Sequence, residues 1–591
     1  MTYCYLFEAN FIQRFLFNSG KLKDVIAASE RLDKLIDNHE YSVLSMVLQK
    51  AQLNSDLMNP DIPDKHAGDE VLIRFLRCKG GAFYAYCSDK APLLRLRSIW
   101  TLTLGQLFPS LSWADALVEG ATLKEAMNNG HQQMGADRNS PSIQFPIGSS
   151  ISQRSQRTGQ VAVPLKSAAK KSSHEVEPQD NTFLDLETEH HRQAYTHYNL
   201  KTQAALQERY TPNHLHGELF YPVDLEKDFA FSAEGLNAEN KEATKDIALI
   251  HIDGNGLGIL LRALQEHLTA DIDYSDERYR KGFRLFSDSL AKATQEAAKQ
   301  STEWLYQDNH YQQNSKTYIP MRPLILGGDD VTLLCRADLA LEYSERFCRA
   351  FKLESEKALK PLFKDYLSGS DLKHYLTASG GILYHKASHP FTHSHHLVED
   401  LCAEAKKLTK TVCKTDQEVG PAALALYRLS NASAENFATL KQQSRVFTVN
   451  KGESQTHLEL GQYAYFVAEE IEAQSMSPNF TQLKALAQEC RNDSAAVSMT
   501  KWRQIVSKLA LGDKAEADRM YRRALSNCTS TEALLSLKTK FQALMPPTAN
   551  QYEWYWQQDD TDMLSTLLSD LLIVDHFRPV SKPKTTQEEK A

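Results

Sequence analysis

Apolar positions recur along this chain with two periods, and the alternation between them outlines an architecture. The apolar strand Asp246 to Asp253 is followed by 3.6-residue patterning through Glu277 to Tyr306, then by the apolar runs Tyr318 to Leu326 and Val331 to Cys335. Helical patterning from about Ala337 to Leu353, a strand at Tyr375 to Tyr384, a helix from about Ser394 to Thr409 and a strand near Ala422 to Tyr427 complete the series. Strand, helices, hairpin, helix, strand, helix, strand is the order of a ferredoxin-like α+β unit. From about Ser433 onward the patterning is mainly helical, over Leu458 to Ala473, Asn479 to Arg491, Ser498 to Leu511, Lys514 to Asn527 and Thr531 to Met545. These segments predict a carboxy-terminal bundle. Trp554, Trp556, Leu564, Leu567, Leu568, Leu571 and Leu572 predict one more apolar helix, and Ser581 to Ala591 a disordered tail.

Candidate chemistry concentrates where the strands stop. Gly327, Gly328, Asp329 and Asp330 separate two apolar runs and predict a hairpin with two carboxylates at its tip. Glycine tolerates the positive φ of a tight turn, and a turn lets neighbouring acids serve one site where a regular strand would point them apart. Paired carboxylates repel unless a cation lies between them, and hard oxygen donors suit Mg²⁺ or Mn²⁺. Asp253 ends the strand Asp246 to Asp253, and Gly254, Asn255, Gly256, Leu257 and Gly258 follow as a turn that opens a helix, a favourable place for phosphate. Convergence of Asp253, Asp329 and Asp330 would give the equipment for two-metal nucleotidyl transfer. The plainer alternative is ordinary turn chemistry at strand ends.

Length and charge narrow the picture. A chain of 591 residues exceeds the size of one core and predicts several domains. No stretch has the length and apolarity of a membrane span and no signal peptide opens the chain, so a cytoplasmic location is expected. Nine scattered cysteines without a Cys-x-x-Cys pair support neither disulfides nor a cysteine zinc site. A formal charge of -8 argues against a general nucleic-acid clamp, and Arg154, Arg157, Lys166, Lys170 and Lys171 fall in a Ser-rich stretch, about Asp137 to Gln179, that reads as a flexible linker. His190 and His191 read as surface residues of an amphipathic helix; His389, His393, His395 and His396 read as a polar helix start.

Taken together, these motifs resemble the large, polymerase/cyclase-like subunit of type III CRISPR effector complexes, whose second palm carries a Gly-Gly-Asp-Asp hairpin and a preceding strand-end aspartate. Thr377-Ala-Ser-Gly-Gly-Ile382, His389-Pro-Phe391 and the Leu397 to Lys406 helix are similar to the family's following strand, turn and helix. Tyr3 to Leu35 resembles the opening of its first palm, whose hairpin here reads Lys79-Gly80-Gly81-Ala82-Phe83, without an acid. The helix Ala91 to Phe108 and the segment Ser112 to Met127 would complete that domain. The resemblance implies an α+β chain of two ferredoxin-like palms: a degenerate first palm over 1–135, a linker and connecting helical region with a degenerate zinc module over 136–240, an active second palm over 241–430, a helical domain over 431–580 and a tail over 581–591.

It also implies ATP as substrate, two Mg²⁺ or Mn²⁺ ions on Asp253, Asp329 and Asp330, and a cyclic oligoadenylate-type product. Gly254 to Gly258, with Gly327 and Gly328, would cradle phosphate; Ser379 would stand near the purine and Lys406 would neutralise the β and γ phosphates. Implied partners are guide and target RNA through other subunits, and a small helical subunit at the carboxy-terminal bundle, with no membrane. No His-Asp dipeptide occurs in the chain, so the family's HD nuclease is not expected in it. A catalytically silent scaffold and a free-standing nucleotide cyclase stay open as alternatives.

Overall fold

The computed structural model describes residues 1–37, 41–59, 71–138, 149, 151–163, 184–198, 205–223, 246–270, 274–313, 316–387, 389, 391–415, 417–429, 436–444, 446–451, 454–468, 476–547, 549–557 and 563–579. The first unit runs β1 (Thr2–Asn10), α1 (Ile12–Phe17), α2 (Leu22–Asp33), α3 (Val43–Lys50), β2 (Arg74–Lys79), β3 (Ala82–Cys87), α4 (Lys90–Leu107), β4 (Ser112–Gly120) and α5 (Leu123–Asp137). Its sheet order β2-β3-β1-β4 is ferredoxin-like. Gly80 and Gly81 both take positive φ in the two-residue β2–β3 turn, which a residue with a Cβ would adopt only under strain.

Two short helices, α6 (Leu186–His197) and α7 (Ala205–Tyr210), and strand β5 (Leu219–Phe220) lead to the second unit. There β6 (Asp246–Asn255), α8 (Leu257–Ala270), α9 (Asp276–Asn309), β7 (Tyr311–Gln313), β8 (Lys316–Tyr318), β9 (Met321–Gly327), β10 (Asp330–Arg336), α10 (Ala337–Asp365), β11 (Thr377–Lys386), α11 (Phe391–Thr411) and β12 (Ala423–Arg428) follow in turn. A later strand, β15 (Ala464–Phe466), completes a six-stranded sheet ordered β15-β12-β11-β6-β10-β9. The predicted order of elements holds. Strand periodicity assigns each face of this sheet to a different core. Ala248, Ile250 and Ile252 enter the core shared with α10, whereas Ile247 and Leu249 enter a core that runs on through α11 into the first unit, with Leu397 and Leu401 beside Phe7 and Val25. The face of β6 that carries His251 and Asp253 is therefore the one that looks toward α11 and the first unit.

The carboxy-terminal part corrects its prediction. Helices α13 (Phe480–Glu489), α14 (Met499–Ala510), α15 (Lys514–Asn527) and α16 (Thr531–Leu544) lie where expected, after a short α12 (Phe437–Ser444). Leu458 to Ala473 is not a helix: Leu458 belongs to β14 (Ser454–Glu459) and 464–466 to β15, while 469–473 lie outside the described residues. β14 pairs with β13 (Val446–Lys451) and joins β18 (Met563–Ser565), β17 (Trp556–Gln557) and β16 (Asn550–Gln551) in a five-stranded sheet. Trp556 and Leu564 are strand residues, and only α17 (Leu568–His576) of the expected last helix is helical.

Residues 151–163, expected in a flexible linker, form a small hairpin with an Arg154↔Val161 bridge, tied to α6 by the Thr158 hydroxyl donating to Asp185 at 2.8 Å. The rest of that linker from 164, the tail from 580 and Pro390 lie outside the described residues. His191, expected at the surface, is 3% exposed, and its Nδ1 stands 2.8 Å from the Arg31 guanidinium. All nine cysteines are free. Among the described residues no helix is long and apolar enough to cross a membrane.

Candidate active site

The acidic hairpin is built as the sequence predicts. Asp330 pairs with Gly327 across a two-residue turn in which Gly328 takes φ 63° and Asp329 completes the reversal. The Thr294 hydroxyl of α9 donates to the Gly328 carbonyl at 2.6 Å and fixes the turn from below. The ladder Val331↔Ile252 and Thr332↔His251 carries Asp330 onto the face of Asp253, and the turn brings Asp329 back to the same place. The Asp253 and Asp329 carboxyls stand close enough for a proton on one to bridge to the other. The three aspartates converge.

Charge in this corner is unevenly held. Burial, reinforced by the Asp253 carboxylate, pushes Asp329 up to about 8, so near neutral pH it keeps the proton that the pair shares. Burial alone would raise Asp253 as well, yet the hydrogen bond from Asp329 and the Lys406 ammonium hold it below the usual carboxylate range. Lys406 on α11 is bonded to Asp253 and to the Gly254 carbonyl at 3.3 Å. Asp330 lies 3.3 Å from His251 Nδ1, which also stands 3.0 Å from the Thr332 hydroxyl. Desolvation opposes a charge on His251, but the Asp330 and Asp253 carboxylates prevail and raise it. Behind it the buried His395 packs its ring, tilted by 31°, against Phe17 of the first unit, with centroids 4.3 Å apart. His395 is thus an internal residue of α11, not part of a polar helix start.

The glycine-rich segment divides its work differently from the prediction. β6 does not end at Asp253 but pairs on through Gly254↔Ala378 and Asn255↔Thr377. Asn255 is 8% exposed, and its amide donates to the Ser379 hydroxyl at 2.8 Å and the Thr377 hydroxyl at 3.1 Å. Those bonds anchor the strand end and leave Asn255 outside any phosphate cradle. Ser379 is fully buried, accepts from Asn255 and from the Ala423 amide at 3.3 Å, and so has no surface for a purine. A Cβ on Gly254 would stand 2.9 Å from Asp329 Cβ; the missing side chain is what lets the hairpin close on β6. Gly256, at φ 89°, makes the turn into α8, and Leu257 and Gly258 at the helix start face the cleft. Of the segment Gly254 to Gly258, only Leu257 and Gly258 line the cleft.

A cavity of about 580 Å³ separates the two units at this corner, within the usual range for small-molecule sites. One wall is Gly327 to Asp330, Gly258 and Phe286; the other is the acid-free Gly80–Gly81 turn with Arg77 and Arg138. Asp253 is not part of its lining, and its half-buried side chain opens toward Lys406. His251 was assigned no role from the sequence, although a strand period of two places it on the face of Asp253. Among the described residues no three Asp, Glu, His or Cys side chains stand in a ready metal-holding cluster.

Residues 246–412 match a family described as Cas10/Cmr2, second palm domain. No curated protein matches the chain. Among solved structures, the apo Csm1-Csm4 cassette aligns with 13% identity and a TM-score of 0.44 over 91% of this chain and 66% of that one. Csm1 in T. onnurineus aligns with 12% identity and a TM-score of 0.43 over 98% and 70%. A Csm1-Csm4 cassette in complex with cA4 aligns with 13% identity and a TM-score of 0.36 over 69% of this chain and 53% of that one, so the chain spans about half the length of that relative. Over residues 246–412, and there alone, the chain is thus similar to the second palm domain of the Cas10/Cmr2 family.

Proposed function

We propose that the chain is a nucleotidyltransferase that joins ATP into a cyclic oligoadenylate or a closely related signal, as the large subunit of an RNA-guided type III CRISPR complex. One observation carries the reading: the strand ladder and the closed turn bring Asp253, Asp329 and Asp330 together at the edge of a cleft walled by both palms. Two half-buried carboxylates close enough to share a proton are hard donors whose repulsion a divalent cation would relieve, so the pair fits Mg²⁺ or Mn²⁺, with Asp330 as the third donor. Bound there, two such ions supply the activation of a 3′-hydroxyl and the neutralisation of the departing pyrophosphate.

The chain's own residues do the rest. With cations held there Asp329 would be ionised, Lys406 would be the cation nearest the triphosphate, and the amides opening α8 would receive phosphate. The facing first palm excludes water from the cleft. Guide and target RNA would act through other subunits, a small helical subunit would dock on the carboxy-terminal helices, and the complex would work in the cytoplasm.

A second reading, a silent scaffold, draws on the Lys406–Asp253 ion pair and on the want of a three-donor cluster among the described residues. Incubation of the full chain with labelled ATP and Mn²⁺, with and without a guide complex and target RNA, separates the two. Wild type should yield oligoadenylate, and the Asp329→Asn, Asp330→Asn variant should lose at least about 10²-fold in rate, the order expected when charge stabilisation is removed. No product under any condition leaves only the scaffold, and RNA-independent synthesis identifies a free-standing cyclase.

A further inference from the structure

The strand that leads into the acidic hairpin is irregular, and the irregularity is held from outside its sheet. β9 is the edge strand, and its register with β10 slips between Thr332↔Ile325 and Leu333↔Pro323, which leaves Leu324 as an extra residue. Proline lacks the amide that a ladder needs, so Pro323 is tolerated at an edge and marks a bulge. Leu324 and Ile325, adjacent in sequence, consequently both pack toward the core shared with the first palm. Their carbonyls accept hydroxyls from elsewhere. Ser29 of α2 donates to the Leu324 carbonyl at 2.7 Å, and Tyr210 at the end of α7 donates to the Ile325 carbonyl at 2.9 Å. Tyr210 is fully buried, and its helix is bound to α2 through the Ala205 amide, which donates to Glu30 at 3.0 Å. Three residues beyond the bulge the chain turns at Gly328.

We propose that Ser29 and Tyr210 are positioning residues for the acidic hairpin: by holding the β9 bulge they set where Gly327 to Asp330 present their carboxylates. The first palm, which has no acids on its own turn, thereby takes part in the chemistry through a strand of the second. A bulge re-aims the residues after it, and two hydroxyls arriving from α2 and from the connecting helix α7 bound to it make its geometry depend on how those helices sit. The inference rests on the proposed function for its consequence in catalysis, though not for its consequence in structure.

The test uses the full chain with Ser29→Ala, Tyr210→Phe and the double variant, and Ser29→Thr as the conservative replacement. Three quantities are read: Mn²⁺ affinity by electron paramagnetic resonance titration, hydrogen exchange of peptides over 321–336, and kcat and KM for ATP. The double variant should bind Mn²⁺ about tenfold more weakly, exchange faster at the hairpin and not in α13 to α16, and lose kcat at unchanged KM. Ser29→Thr should restore the single-site effect. Wild-type Mn²⁺ affinity and hairpin exchange in a folded double variant would overturn the proposal. If wild type binds no Mn²⁺ and makes no product, the proposed function fails, and the exchange measurement still decides whether the hydroxyls position the hairpin.

Discussion

Asp329 is where the fold keeps a proton that an isolated aspartate would have lost. In the unfolded chain it titrates near 3.8, and in the metal-free fold burial and Asp253 move it to about 8. Between those values the folded state binds more protons than the unfolded one, so this group's contribution to stability is lost as pH rises. Asp253 is shifted the other way, and its contribution disappears only in acid. Metal-free wild type should therefore melt progressively lower than Asp329→Asn between about pH 5 and pH 8, with Mn²⁺ closing the gap. Thermal scans of the two proteins check this. The acids themselves were legible in the sequence because a glycine pair between two apolar runs leaves little but a turn. Ser379 and Asn255 were not. A serine or asparagine beside a glycine reads alike whether it faces a ligand or a neighbouring strand, and here each satisfies the other.

Among the elements, α11 carries Lys406 to the site, and Gly381 lets it approach. A Cβ at that position would meet the Val398 carbonyl at 2.4 Å and Leu401 Cβ at 2.7 Å, both on α11. Gly381→Ala should push the helix off β11 and cost about 1–3 kcal/mol, as overpacked cores do, read from the urea midpoint. Long elements with an unbroken period were legible, and Lys514–Asn527 matches its predicted helix at both ends. The carboxy-terminal sheet was not, for its strands span two to six residues and its two halves join only where β14 meets β18, far apart in sequence. Over so few residues an apolar spacing of two cannot be told from one of 3.6, and the pairing of His457 with Met563 leaves no local trace. The bulge in β9 had one sign, Pro323 inside an otherwise strand-like run.

Across the whole molecule, α9 ties the palms together. Its first turns bond to the first palm through Asp276, which accepts from the Thr2 hydroxyl and the Leu123 amide, and through Arg280, which donates to the fully buried Asp56 at 3.3 Å. Further along, Thr294 holds the acidic turn. Arg280→Met would leave Asp56 with the Phe75 amide and the more distant Arg74, and should cost about 3–5 kcal/mol, the usual penalty for stripping a buried ion pair of one partner. Chemical denaturation measures the loss, and under the proposed function a cleft that slackens with it should bind ATP more weakly. The two turns that face each other across that cleft are equal in length and opposite in endowment, Gly80–Gly81 bare with positive φ at both residues and Gly328–Asp329 acidic with positive φ at the glycine alone. Under the proposed reaction only one bench of this workshop has tools. Every bond would be made on the same side, and a lengthening oligonucleotide would have to shift its fresh end across before the next addition, so intermediates of each length should be caught leaving whenever that shift is slow.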